Sequence, residues 1–405
     1  MLTDYFPKPT LPAMGVWALQ QARGLAAAGA EVRVISPTSW IPPLLRKFPA
    51  ARRFHDCPPA HQWDGIRVIY PRWPFYSFSR VRRLWFGRPR FYCRFAGRFL
   101  QTAIDDEIRD YQPDVVFAHH SIPCGILAME IRHRHGVPFI VQDFDFNSIE
   151  SCRSLPRRRK AFEQVARASA AMIGASSRIC RGVSEICPGV KTAPLYTGTH
   201  RLPADIRDAP RPADIAGKIV VFSAAVMYER KGIPLLIRAF AQVAKVHPNL
   251  VLRLAGDGEE RGAVDAAIAE ANLGDRIQML GLVPHDRILQ EMVWSDLFML
   301  VGWDEPFATV FLEAMSAGKP IICCDDGGIC EVMQDGVHGL TVPPRNQAAA
   351  AAALNRLVSD PVLCRRLGKA SGELFEQRLT LEASAASALK ILHEAAAARE
   401  AAAMV

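Results

Sequence analysis

The sequence lacks several things, and each absence excludes a class of protein. No run approaches the roughly 18 uninterrupted apolar residues that a membrane-spanning helix needs, so no transmembrane segment is expected. The start, Met1-Leu-Thr-Asp-Tyr-Phe-Pro-Lys8, has neither the charged opening nor the apolar stretch of a secretory signal. The ten cysteines are scattered, with no Cys-x-x-Cys pair and no Cys/His spacing suited to zinc. No disulfide framework and no metal site is therefore expected, and a cytoplasmic protein is. Acidic residues are scarce in one place: residues 51–100 hold two Asp/Glu against eleven Lys/Arg.

What is present suits a large folded chain. Its 405 residues are 50% hydrophobic and 22% charged, enough for two domains of about 200 residues each and too apolar for wholesale disorder. Residues 1–200 carry 28 Lys/Arg against 15 Asp/Glu, and the remainder 21 against 26. Between Arg72 and Arg98 the cations alternate with aromatics such as Trp73, Trp85 and Phe86. Two readings stand. Such a patch can meet an anionic membrane surface, or it can be a solvated basic face over an ordinary core helix. No nucleic-acid-binding module accompanies it, so no nucleic-acid partner is expected.

The hydrophobic pattern alternates strands and helices in both halves. In the first, a short strand ends near Phe6, a helix spans Gly15 to Ala28, and Val32–Ser36 is a strand. Asp114–Ala118 and Val137–Gln142 are further strands around a helix at Gly125–His135. Met1 falls almost inside the first strand, which is either short or cut into by the chain's start. In the second half the strands are Ile219–Ala224, Leu250–Ala255, Ile277–Leu280, Leu297–Val301 and Pro320–Cys324. The helices between them are Pro234–Val246, Arg261–Ala271, His285–Trp294 and Thr309–Ala317, with Ile329–Gln334 after the last strand. The expected layout is an N-terminal domain over 1–200, a Pro-rich linker over 201–217 and a C-terminal domain over 218–382. A helix and an Ala-rich tail, frayed from 395, complete it over 383–405. Two doubly wound α/β domains facing a cleft is the expected architecture.

The chemistry centres on Glu305-Pro-Phe-Ala-Thr-Val-Phe-Leu-Glu313. This stretch follows a buried strand and opens a helix, where free backbone amides and the helix dipole favour an anion. The amides of Thr309 and Val310 are placed for a diphosphate, Glu305 for sugar hydroxyls and Glu313 for the two hydroxyls of a ribose. Lys231, in Arg230-Lys231-Gly232 after another strand, can reach the same phosphates. The Gly256-Asp-Gly258 and Gly281-Leu-Val-Pro284 loops close two further strands, and backbone atoms of the latter can hold a nucleobase. Asp143-Phe-Asp145 matches a three-residue metal–diphosphate motif, one that occurs often by chance. Gly256-Asp-Gly258-x-x-x-Gly262 has the wrong spacing for a dinucleotide fingerprint, so a dehydrogenase is not expected.

Together these motifs resemble the retaining nucleotide-sugar glycosyltransferases of family 4, with the GT-B fold. The resemblance is specific over residues 219–345, through Lys231-Gly232, the Glu305/Glu313 pair, Ala314-Met-Ser-Ala-Gly-Lys-Pro320 and Gly327-Gly328. It is looser through Gly15, Gly29 and Val32–Pro37. It implies a nucleotide-sugar donor, a glycan or lipid-linked acceptor, cell-surface polysaccharide synthesis, and no metal or other cofactor. The catalytic set it implies is Glu305 and Lys231, with Asp143 and Asp145 where the family carries a histidine. The donor-binding set is Gly15, Arg230, Lys231, Gly256, Val283, Phe307, Ala308, Thr309, Val310 and Glu313. Retention in such enzymes is attributed to front-face attack, the leaving diphosphate helping to deprotonate the acceptor.

Two departures stand out. The family's Gly-Arg five or six positions before the lysine is absent, leaving Arg230 as its substitute. No histidine follows Val137–Gln142, though His119 and His120 end a neighbouring strand. These gaps motivate the alternative of a non-catalytic nucleotide-sugar-binding protein of the same fold. Peripheral association with the inner membrane face is a further expectation.

Overall fold

Runs of β-branched and other apolar residues become parallel strands in both halves of the chain. A computed structural model describes residues 1–74 and 88–403 and divides into two units. One is Met1–Tyr196 with Leu381–Val405, and the other is Thr197–Thr380.

In the first unit Val116–His119, Phe139–Asp143, Ala171–Gly174 and Thr192–Pro194 lie side by side, all parallel. Arg33–Ile35 pairs in parallel with Ile66–Ile69, which pairs antiparallel with Ala60–Trp63. Leu2 joins the two groups, bridging Ile35 on one side and Ala118 on the other. In place of the strand expected to end near Phe6, Leu2 makes these isolated bridges. The strand at Ala171–Gly174 is one the sequence pattern did not reveal.

The second unit carries six parallel strands. In chain order they are Ile219–Ala224, Leu250–Ala255, Ile277–Gly281, Leu297–Leu300, Ile321–Cys324 and Gly339–Val342. Across the sheet they run third, second, first, fourth, fifth, sixth. The order reverses between Ile219–Ala224 and Leu297–Leu300, and that reversal is where open sheets of this kind bind ligands. The sequence reading has the first five of these strands and misses Gly339–Val342.

Three expectations need correction. The segment 201–217 is not a free linker: Ile206 and Ile215 are buried in it and it belongs to the second unit. The C-terminal helix, Leu381–Ala403, continues past 395 and is part of the first unit. Its Ala388, Leu392 and Ala395 share a core cluster with Phe117, Ile140 and Ile173, and Ser384 donates to the Tyr196 carbonyl at 2.8 Å. Trp73, expected on a surface patch, is buried, as is Tyr92. Phe75, Tyr76, Phe78, Arg80, Arg82, Arg83, Trp85 and Phe86 from that patch lie outside the described residues.

Candidate functional site

The loop after Ile219–Ala224 ends in a short 3-10 turn, Glu229–Lys231, followed by Gly232. Gly232 has φ +64°, and a Cβ there would sit 2.6 Å from the Val301 carbonyl oxygen. Only glycine lets this loop close against the one after Leu297–Leu300. The Trp303 N–H donates to the Arg230 carbonyl at 2.9 Å and fixes the approach. As a result Lys231 Nζ lies 2.7 Å and Arg230 Nη1 2.5 Å from the same oxygen, Oε1 of Glu305. Glu305 is 3% exposed. Burial lowers the Lys231 pKa, and Glu305 opposes that shift. The cluster therefore stands at the reversal point of the sheet, where such sheets bind ligands. The Glu305 carbonyl also accepts from the Gly328 N–H at 2.8 Å, which ties in the glycine pair.

The helix Thr309–Ser316 starts beside this cluster in sequence. Ala308, its extended N-cap, has no side-chain cap bond, and the first amides of a helix have no intrahelical acceptor. Thr309 is exposed, Ala308 and Val310 half-buried, and Phe307 buried beneath them. The amides of Thr309 and Val310 are thus available to an anion. One turn on, Glu313 pairs with Nε2 of His285 at 2.9 Å. That hydrogen bond raises the His285 pKa. His285 is the residue that sequence reasoning missed; its signal was a histidine directly after the Val283-Pro284 loop. It brings Glu313 to the loop expected to hold the base.

Gly256 and Gly258 have a packing requirement of their own. A Cβ on Gly256, at φ +120°, would meet the Ala225 oxygen at 1.9 Å, and one on Gly258 would meet the Met227 oxygen at 2.6 Å. Met227 N–H donates to Asp257 at 2.9 Å and Gly256 N–H to Gly281 at 2.8 Å. These contacts join the loops leaving the first three strands of the unit, so the Gly256 loop holds the Arg230–Lys231 loop in place.

The remaining expected residues belong to the first unit. Gly15, φ +67°, caps the helix Val16–Ala27 and packs against Tyr5 and Phe6, where a Cβ would come within 2.5 Å of backbone. Asp143 is fully buried, and burial raises its pKa. Its Oδ1 accepts from the Ser121 N–H at 3.0 Å and the Ser148 hydroxyl at 3.3 Å. Asp145 accepts from the Ser148 N–H at 3.4 Å. Among the described residues no three His, Cys, Asp or Glu side chains gather as a metal site. His119 is buried against Trp17 and Phe144, and burial holds its pKa well below the usual histidine value. His120 has φ +64°.

Comparison with known proteins bears on the family and the fold. Residues 206–373 match the family model for glycosyl transferases group 1, and residues 13–185 that for a glycosyl transferase 4-like domain. Over 143 residues the chain is 32% identical to an uncharacterized glycosyltransferase of Methanocaldococcus jannaschii, covering 35% of this chain and 36% of that protein. The aligned part thus spans about a third of that relative's length. Among solved structures, sucrose-phosphate synthase of Thermosynechococcus elongatus has a TM-score of 0.73 at 21% identity, covering 95% of this chain and 94% of that one. Anabaena HepE in complex with UDP has a TM-score of 0.71 at 18% identity, covering 97% and 98%. At these identities the structural likeness is one of fold.

Proposed function

The chain belongs to the family 4 glycosyltransferases of the GT-B fold, and from that premise we propose that it transfers a sugar from a nucleoside diphosphate to a glycan or lipid-linked hydroxyl. The observation that carries this reading is the Arg230–Lys231–Glu305 cluster at the reversal of the second sheet, followed in sequence by an uncapped helix start.

In this reading the bond from the anomeric carbon to the diphosphate breaks and its electron pair goes to the leaving oxygen. Lys231, Arg230 and the amides of Thr309 and Val310 stabilise that growing charge, which is where a transferase gains most of its rate. Arg230 takes the part of the arginine missing from the preceding loop. Glu305 aligns the two cations and accepts from sugar hydroxyls, and Glu313 takes the ribose. The acceptor hydroxyl attacks the same face and gives its proton to the departing diphosphate, so configuration is retained. These groups neutralise the diphosphate without a metal. Synthesis of cell-surface polysaccharide is the role that suits such an acceptor.

Anabaena HepE was solved with UDP, so uridine donors are the first to try. Thermal-shift screening of nucleotide sugars, followed by transfer assays on the hits and NMR of the product anomer, tests the proposal. No stabilisation by any nucleotide sugar would overturn it, and an inverted product would overturn retention. A second reading, donor binding without turnover, is favoured by the buried Asp143 standing near the position where the family places a histidine. Binding without transfer or hydrolysis would select it.

A further inference from the structure

We infer that the helix Pro89–Gly97 and its neighbour Pro156–Ala168 form a docking surface for an anionic phospholipid bilayer. The inference rests on the first unit alone and not on the donor chemistry.

The helix is divided lengthwise. Tyr92, Cys93, Ala96 and, in the turn that follows, Leu100 are buried in the core. The opposite side, continued into the turn after Gly97, carries two rows at four-residue spacing. One is Phe91, Phe95 and Phe99, exposed by 68%, 44% and 61%. The other is Arg90, Arg94 and Arg98, all exposed. The rings of Phe95 and Phe99 meet edge to face at 5.7 Å, so the phenyl row is an organised strip facing water. Four-residue spacing keeps each row on one side of a helix.

The adjoining hollow adds Arg157 and Lys160 from the neighbouring helix, both exposed, and no Asp or Glu lines it among the described residues. Of the cations in these rows and the hollow, Arg94 alone has a carboxylate within 4 Å among the described residues, Glu130 at 3.8 Å. Charge complementarity therefore calls for an anionic partner. The side-by-side rows specify its form: phosphates for the arginines, and an apolar layer immediately beneath for the rings. A helix lying in the headgroup plane of an anionic bilayer satisfies both at once. An acidic protein surface would meet the cations and leave the phenyl row in water. The surface is also shifted from the sequence expectation, since Trp73 is buried and the Phe91–Phe99 row takes its place.

The test is co-sedimentation of the full chain with vesicles of phosphatidylcholine alone and of phosphatidylcholine mixed with phosphatidylglycerol. Binding to the mixed vesicles only, released by high salt, is expected. Reversal at Arg90, Arg94 and Arg98 to Glu should weaken it about fivefold for each cation lost, and more for the added negative charge. Replacing Phe91, Phe95 and Phe99 by Ser should also weaken it while leaving the remainder salt-sensitive. All six positions are exposed, so melting temperatures and donor-induced thermal shifts should match wild type, which separates this test from that of the transfer reaction. Equal binding to neutral and anionic vesicles, no binding at low salt, or undiminished binding by both triple variants overturns the inference.

Discussion

Lys231 Nζ lies 2.7 Å from Glu305 Oε1, joining the loop after Ile219–Ala224 to the loop after Leu297–Leu300. Those are the two strands at which the sheet order reverses. An ammonium held there by a buried carboxylate has its direction fixed before any ligand arrives, and preorganised charge is what stabilises a leaving anion.

Lys231→Met and Glu305→Gln should each lower kcat/KM for transfer by about 10²–10³-fold. Because the two groups touch, the double variant should lose less than the product of the single losses. Initial rates with the donor found by screening measure this. Wild-type rates in both single variants would remove the cluster from the reaction.

The His285–Glu313 pair should give a pH signature. His285 has its pKa raised above 6.5 in the folded protein by the Glu313 hydrogen bond. The stabilisation it supplies is complete below 6.5 and is lost as pH rises through the raised folded value. His285→Gln should flatten the dependence of Tm on pH over that window and leave more alkaline values unchanged. If Glu313 binds the ribose, donor Kd should tighten as His285 deprotonates and releases it. An imidazole NMR titration with a midpoint below 6.5 would contradict the pairing.

Two glycines should respond unequally to alanine. Gly256→Ala places a methyl 1.9 Å from the Ala225 oxygen at φ +120° and should cost more than about 3 kcal/mol, since the backbone itself must move. Gly274 has φ +55° with nothing near its missing Cβ, so Gly274→Ala should cost about 1–2 kcal/mol. Denaturant melts distinguish these values.

Arg253 and Glu291, 4% and 0% exposed, form a buried ion pair with Nε to Oε2 at 2.8 Å. Arg253→Met should destabilise by less than the roughly 3–5 kcal/mol of an unpaired buried charge, because Arg287 still pairs with Glu291 at 2.7 Å. Arg253→Met with Glu291→Leu should recover most of that loss. A double variant no more stable than the single would show that packing, not charge, dominates there.

EDTA should leave transfer intact, because Lys231, Arg230 and helix amides supply the positive charge. Activity abolished by chelator and restored by Mn²⁺ or Mg²⁺ would shift the chemistry to another set of ligands.

Much of the second unit was legible in the sequence because strands buried on both faces are near-continuous apolar runs. Ile219–Ala224 and Leu250–Ala255 lie where those runs put them. Ala171–Gly174 and Gly339–Val342 were not legible: each is four residues long and contains a glycine, too short a run to tell from a loop. The Ala-rich helix Leu381–Ala403 could be read as a helix, yet not as part of the first unit. Its small side chains suit any apolar face, and only the apolar Phe117–Ile140 side of that sheet decides which one it covers.

The same division holds for the site. Local sequence determined that Arg230, Lys231, Glu305 and Glu313 stand at strand ends and a helix start, since those positions follow from hydrophobic period and turn residues alone. Which of them meet was decided by the tertiary structure. Lys231 finds Glu305 because the first and fourth strands of the unit are neighbours, and His285 finds Glu313 because the helices bearing them pack together. Strand order and helix packing arise from contacts between residues remote in the chain, and no local pattern encodes them.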